Sequence, residues 1–217
     1  MHKADGKAVV HIVDDEPAIR NALQRLLSAA GYPCRAYASG EEFLKGSVGA
    51  RDCVVADVHL PDMNGLDLLA AMNARGQSVP MLIITGFATV ELAVQAMKAG
   101  AVDFLTKPFE SASLTEKIET CLAVGRLRQA TLERRRNASM RLSSLSEREV
   151  EVLGQVIDGK TNRAIGDILN ISVKTVEAHR ARIMEKTGAL SLVDLTRLWD
   201  ATRTSMAQAD ESRFASV

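Results

Sequence analysis

The first half of the chain alternates two hydrophobic patterns. Short apolar runs occupy positions 8–13, 34–37, 53–58, 81–85 and 103–106, and those at 8–13, 53–58 and 81–85 are dense in Val, Ile and Leu. Continuous apolar runs of this length predict strands covered on both faces. Helical patterns lie between them at 17–30, 41–45, 65–75 and 89–99, with a further helix predicted from about Ser113. Gly31, Gly76 and Gly100 each follow a helical segment, where a left-handed residue closes the last turn. Ser39-x-x-Glu42 and Ser113-x-x-Glu116 match capping boxes. Five strand–helix units in succession predict an α/β fold: a doubly wound, five-stranded parallel sheet with right-handed crossovers and helices on both faces. The βα loops of such a sheet gather at its carboxyl edge, where ligand chemistry belongs.

The pattern changes at about residue 125. Arg126, Arg128, Arg134, Arg135, Arg136 and Arg141 are opposed only by Glu133, which reads as a basic linker, either a flexible connector or a continuation of the preceding helix. Beyond it, Ser146-x-x-Glu149 caps a helix running to about Ile157, and a second helix covers 161–169. Asn170-Ile171 turns the chain, Ser172 caps a third helix that reaches Thr187, and a fourth covers 191–201. Four short helices without strands predict a small all-α unit. The expected organisation is a first domain at 6–123, the linker at 124–141, a helical domain at 142–203 and a disordered polar tail at 204–217.

Composition adds modest constraints. Residues 1–120 carry 11 Lys and Arg against 15 Asp and Glu, whereas residues 121–217 carry 16 against 12. An acidic half followed by a basic half fits a metal or phosphate switch joined to an anion-binding module. Cys34, Cys53 and Cys121 form no spaced pair, which argues against zinc and disulfides and for a reducing compartment. No apolar run reaches membrane-spanning length and the start has no signal-like h-region, so a cytoplasmic location with no membrane partner is expected.

The chemistry concentrates at strand ends. Asp14 and Asp15 follow the first strand, Asp57 ends the third, Thr85 ends the fourth and Lys107 follows the fifth. A doubly wound sheet brings these points to one edge. Grouped carboxylates repel one another, and burial adds to the cost. A divalent cation offsets both, and oxygen donors suit Mg²⁺ or Mn²⁺. A cation with Lys107 beside it makes a pocket for phosphoryl oxygens, and Asp57 is placed to attack phosphorus as a carboxylate nucleophile.

These residues resemble a known family. Val13-Asp14-Asp15-Glu16, the segment Val55-Ala56-Asp57-Val58-x-Leu60-Pro61-x-Met63-x-Gly65, Ile84-Thr85-Gly86 and Lys107-Pro108-Phe109 look like a response-regulator receiver, a flavodoxin-like fold, over about residues 6–123. The stretch from Ala93 to Phe104 resembles the FixJ-type branch. The resemblance implies that Asp57 accepts a phosphoryl group from a histidine kinase. Asp15, Asp57 and the backbone carbonyl of His59 would ligate the metal directly, and Asp14 through water. Lys107 would contact the phosphoryl group, Thr85 would rotate onto it, and Phe104 would follow as an aromatic switch. The Lys107-Pro108 bond is expected to be cis. His59 and Phe87, two residues beyond Asp57 and Thr85, lack a group to position attacking water, which implies slow self-dephosphorylation. A phosphorylation-dependent homodimer is expected through Val90, Val94, Met97, Lys98 and Asp103, with release of an inhibitory contact between the halves as an alternative.

In the helical unit, a 3.6-residue wheel places Val173, Val176, Ile183 and Thr187 on the inward face of the third helix, with Lys174, Ala178, Ala181 and Glu185 opposite and Glu177 and Arg182 at its flanks. Small residues there permit close approach to a major groove. The runs from Leu145 to Leu153, Gly159-Lys160-Thr161-Asn162-Arg163-x-Ile165, and Ile171-Ser172-x-x-Thr175-Val176-Glu177-x-His179-Arg180 resemble the LuxR-type helix-turn-helix over about residues 142–203. This implies a recognition helix at 172–187 that binds promoter DNA through Ser172, Lys174, Thr175, Glu177, Ala178, Arg180 and Arg182. Thr161 and Asn162 would hold phosphate. Arg180 lies nearer the core face, and pairing with Glu149 or Glu151 is an alternative to a DNA contact. His179 is read either as packing or as a phosphate contact. Gly166, where the family often has Ala, is expected to loosen its helix by up to about 1 kcal/mol.

Together the motifs imply a DNA-binding transcriptional regulator of the two-component kind, not an enzyme beyond its own phosphorylation and dephosphorylation, with RNA polymerase a further candidate partner. Two other readings use the same residues: a metal-dependent phosphohydrolase or phosphotransferase, and an interaction module that does not bind DNA.

Overall fold

The computed structural model describes residues 7–202, so the expected tail at 204–217 and the first six residues lie outside the described part. The chain divides at Ala130 into two compact units. The first is built from β1 (Val10–Val13), α1 (Pro17–Ala29), β2 (Cys34–Tyr37), α2 (Gly40–Lys45), β3 (Cys53–Asp57), α3 (Gly65–Ala74), β4 (Met81–Thr85), α4 (Val90–Lys98) and β5 (Asp103–Thr106). All four strand pairings are parallel, in the order β2-β1-β3-β4-β5. The three runs richest in Val, Ile and Leu are the three inner strands, and every one of their residues is buried.

The period of two along these strands sorts side chains into two cores. Val10, Ile12, Val55, Leu82 and Ile84 pack with Leu23 and Leu27 of α1 and with Leu114 and Ile118. Val13, Val54, Ala56, Met81 and Ile83 pack on the other face with Phe43, Leu68, Met72 and Ala96. Gly31, Gly76 and Gly100 have positive φ, as their positions after helices require. Ser39 caps α2 through the Glu42 amide, but the Glu42 carboxylate accepts from Ala38 instead of closing the box on Ser39.

The last helix of this unit differs from the sequence expectation. α5 runs unbroken from Ser111 to Leu142, 32 residues. Ser113 is therefore inside the helix and caps nothing; the first turn closes earlier, with the Leu114 amide donating to the Glu110 carbonyl. Of the two readings of the basic segment, the helical one holds.

The second unit contains the end of α5, then α6 (Glu147–Ile157), α7 (Asn162–Leu169) and α8 (Val173–Thr187), and a helical stretch at 192–202. Ser146 and Glu149 form a complete capping box on α6, while Thr161 and Ser172 cap α7 and α8. Val152, Leu153, Val156, Ile165, Val176, Ile183 and Leu195 make its core, with Trp199 against it. Gly166 sits at a close backbone approach: a Cβ there would lie 2.8 Å from the Ile171 carbonyl oxygen, and the Ile171 amide donates to the Gly166 carbonyl at 2.9 Å. A side chain here would have to displace the Ile171 backbone in the turn between α7 and α8.

Candidate functional sites

β1 and β3 are neighbours although β2 lies between them in sequence, so the strand order reverses at this point. Val13 is paired with Ala56, which puts Asp14 beside Asp57 at the carboxyl edge. β4 and β5 pair through Thr85 and Thr106, which delivers Lys107 to the same edge. The Lys107 ammonium lies 2.7 Å from Asp14 Oδ2 and 2.5 Å from Asp57 Oδ2. Burial works against the lysine's charge, but its hydrogen bonds to the two carboxylates outweigh this and raise its pKa above the ordinary lysine value. Burial raises the Asp14 carboxyl above the usual carboxylate range, against the pull of Lys107 and the Glu16 amide. Two buried carboxylates thus share one cation.

The remaining oxygens are held by the backbone. Asp14 Oδ1 accepts from the Glu16 amide at 2.9 Å, and Asp57 Oδ1 from the His59 amide at 3.0 Å. Gly65 abuts the site: a Cβ there would come within 2.3 Å of the Asp57 carbonyl oxygen, so no larger residue fits without moving the end of β3. Thr85 is fully buried, and its hydroxyl accepts from the Phe87 amide at 3.2 Å. The His59 and Phe87 rings meet edge to face, 6.3 Å between centroids, and both side chains are exposed. Lys107-Pro108 is cis, as expected.

Asp15 stands apart from the buried pair. It is exposed, and among the described residues no three acidic, His or Cys side chains form a cluster suited to a metal. A residue that sequence reasoning missed fixes this loop: Arg20 Nη1 of α1 donates to the carbonyls of both Asp14 and Asp15, at 2.7 and 2.8 Å. Its only sequence signal is its place one turn into the helix that follows the acidic pair.

On α4, Val90, Val94, Met97 and Lys98 are exposed. Asp103 is already engaged. Its Oδ2 accepts from Lys117 of α5 at 2.7 Å, and its Oδ1 from the Phe104 amide at 2.7 Å.

The second unit holds α8 by polar contacts at several points. Lys186 donates to Glu149 Oε2 at 2.8 Å, and this bond, with the Ser146 amide, lowers the Glu149 carboxyl to about 2. Arg148 donates to the Leu169 carbonyl and pairs with Glu151, both at 2.6 Å. Arg180 donates to Asn162 Oδ1 at 3.2 Å, while Glu149 and Glu151 pair with Lys186 and Arg148. Thr161 uses its hydroxyl to cap α7. Lys174, Thr175, Glu177, Ala178, Ala181, Arg182 and Glu185 are exposed on one side of the helix, while Val176, Ile183 and Thr187 are buried. Val173, expected inward, is 44% exposed, because it sits in the first turn next to the cap and extends past the packed part of the face. Nδ1 of His179 is buried and has no hydrogen-bond partner among the described residues.

Both units match family models. Residues 10–119 match the response regulator receiver domain, and residues 143–199 match the luxR family of bacterial regulatory proteins. The chain belongs to the response regulators. It is 38% identical over 204 residues to the transcriptional regulatory protein FixJ of Azorhizobium caulinodans, covering 94% of this chain and 96% of that one. It is 41% identical over 190 residues to FixJ of Rhizobium meliloti, covering 87% and 93%. Among solved structures, that of the response regulator StyR superposes with a TM-score of 0.77 at 34% identity, covering 90% of this chain and 99% of that one. Full-length FixJ from B. japonicum gives 0.55 at 38% identity, covering 91% and 98%. This response regulator is accordingly a FixJ-like transcriptional regulator of a two-component system, with a receiver and a DNA-binding output domain. No described helix of the response regulator is long and apolar enough to cross a membrane.

Proposed function

We propose that Asp57 is the phosphoacceptor and that its phosphorylation controls promoter binding by the C-terminal unit. The observation that carries this is the Lys107 ammonium shared between Asp14 and Asp57. It marks where anionic phosphoryl oxygens are met once Asp57 Oδ attacks the phosphorus of a kinase phosphohistidine, forming an O–P bond as the N–P bond breaks. The donor set is all oxygen, and two carboxylates with water suit Mg²⁺, with Mn²⁺ the other candidate. Asp15, Asp57 and the His59 carbonyl would hold the ion directly and Asp14 through water, and the ion would supply positive charge to the transferring phosphoryl group. Catalysis by this chain is limited to gaining and losing its own phosphoryl group.

Thr85 turns from the Phe87 amide to the phosphoryl group, and Phe104 moves into the space vacated. The face of Val90, Val94, Met97, Lys98 and Asp103 then favours a homodimer. Two output units, each about 142–203, meet two half-sites of promoter DNA. Lys174 and Arg182 contact bases or phosphates, Glu177 accepts from a cytosine amino group, and Ser172, Thr175 and Ala178 line the approach. Asn162 and Arg180 act as a pair at the phosphate-facing end of α7, beside Thr161, and RNA polymerase is a further candidate contact.

Genomic DNA pull-down with wild type and Asp57→Ala, each treated with acetyl phosphate, tests the reading. Selective enrichment by wild type and its loss in Asp57→Ala is expected; equal recovery by both would overturn the switch. Sedimentation of the same samples should show a doubled mass for phosphorylated wild type alone. An unchanged mass would leave release of an inhibitory contact as the mechanism.

A further inference from the structure

The six arginines around the end of α5 do not share one role. Arg141, within the second unit and two residues before the matched luxR-family segment, turns toward the end of α8. Its Nε donates to the carbonyl of Thr187, the last residue of α8. Its guanidinium also lies over the left-handed cap residue, since a Cβ built on Gly188 would be 3.5 Å from Arg141 Nη2. One turn earlier, Ala138 is 1% exposed, so the end of α5 is packed and not merely adjacent.

The last carbonyls of an α-helix lack intrahelical donors and carry the negative end of the helix dipole. At the end of α8 the Gly188 amide serves Glu185, and the Thr187 hydroxyl turns back to Ile183. Arg141 supplies both the donor for the Thr187 carbonyl and a full positive charge. Arg182 and Glu185, on the exposed side of α8, lie within two turns of this cap.

We infer that Arg141 is a positioning residue for DNA recognition: it fixes the carboxyl end of α8 from outside the helix-turn-helix and does not touch DNA. The inference rests on α8 being the recognition helix. It places the start of the functional DNA-binding unit within α5, ahead of the segment that carries the family motifs.

The test uses the full chain, phosphorylated with acetyl phosphate, and a duplex selected by the wild-type protein from a random-sequence pool. Arg141→Ala should weaken binding to that duplex about tenfold, the scale of one hydrogen bond to a charged group. Binding to a scrambled duplex should be unchanged, and so should the slope of log affinity against log salt, because no phosphate contact is lost. Arg141→Lys should recover part of the loss, since an ammonium still meets the helix end. Comparison is made below the temperature at which emission of Trp199, the only tryptophan of the chain, reports unfolding of this unit. If Arg141→Ala melts below the assay temperature, Arg141→Lys against Arg141→Gln decides in its place, with Lys expected to bind more tightly. Equal losses on both duplexes with a shallower salt slope would make Arg141 a phosphate contact and overturn the proposal. Unchanged selectivity would overturn it too. A wild-type chain that selects no sequence from the pool would instead sink the recognition-helix reading itself.

Discussion

Lys107 Nζ sits 2.5 Å from Asp57 Oδ2, joining residues 50 positions apart across the carboxyl edge of the sheet. The same ammonium also meets Asp14 Oδ2 at 2.7 Å, and in the proposed reaction it meets the phosphoryl oxygens. Lys107→Ala should slow phosphorylation by acetyl phosphate by roughly a hundredfold, as loss of one preorganised donor to a transferring group does. It should also leave two buried carboxylates without their cation, and Tm should fall. Phosphorylation at the wild-type rate would remove Lys107 from the reaction.

The acyl phosphate should be long-lived. His59 and Phe87 meet edge to face at the rim of the site, and neither carries a carboxylate or carboxamide to orient water. Decay of phosphorylated protein, followed after removal of the donor, should be faster in His59→Asn than in wild type. A wild-type lifetime of seconds would rule this out.

Acid should weaken the second unit through Glu149. Its carboxyl titrates at about 2 in the folded protein, against an ordinary 4.5, because Lys186 and the Ser146 amide favour the anion. A depressed carboxyl contributes stability that is complete above its unfolded value and is lost as pH falls through the folded one. Melting followed by Trp199 emission should therefore decline between about pH 4.5 and 2 more steeply in wild type than in Glu149→Gln. Parallel curves would show that the pair contributes nothing.

On α8, Lys174→Ala should weaken DNA binding and make its salt slope shallower by about one contact. Glu177→Ala should relax sequence choice at a single position, worth about 1–3 kcal/mol of discrimination. Footprints identical to wild type for both would take this helix out of the groove.

Much of the site was legible before any coordinates. Once the runs containing Val10, Val54, Ile83 and Leu105 are read as parallel strands, Asp14, Asp57, Thr85 and Lys107 fall on one edge of the sheet, because parallel connections return every strand end to that edge; the strand order then brings them together. What could not be read was which group each charge would meet. Asp14 and Asp15 are chemically identical neighbours whose carbonyls both accept from Arg20, yet only the Asp14 side chain is buried against Lys107, while that of Asp15 is exposed. For Arg180 a DNA contact and a pairing with Glu149 or Glu151 were both open; in the fold Lys186 and Arg148 pair with these carboxylates and Arg180 meets Asn162.

The sequence by itself determined the order of elements, the parallel sheet, the caps at Ser39, Ser146 and Ser172 and the set of charged side chains at the carboxyl edge. These follow from periodicity and short-range hydrogen bonding, which act over a few residues. The tertiary structure decided the pairings, the glycine crossing at Gly166, the exposure of Val173 and the cap that Arg141 places on α8. Those depend on competition among groups brought within a few ångströms by packing, and that competition has no signature in the local pattern.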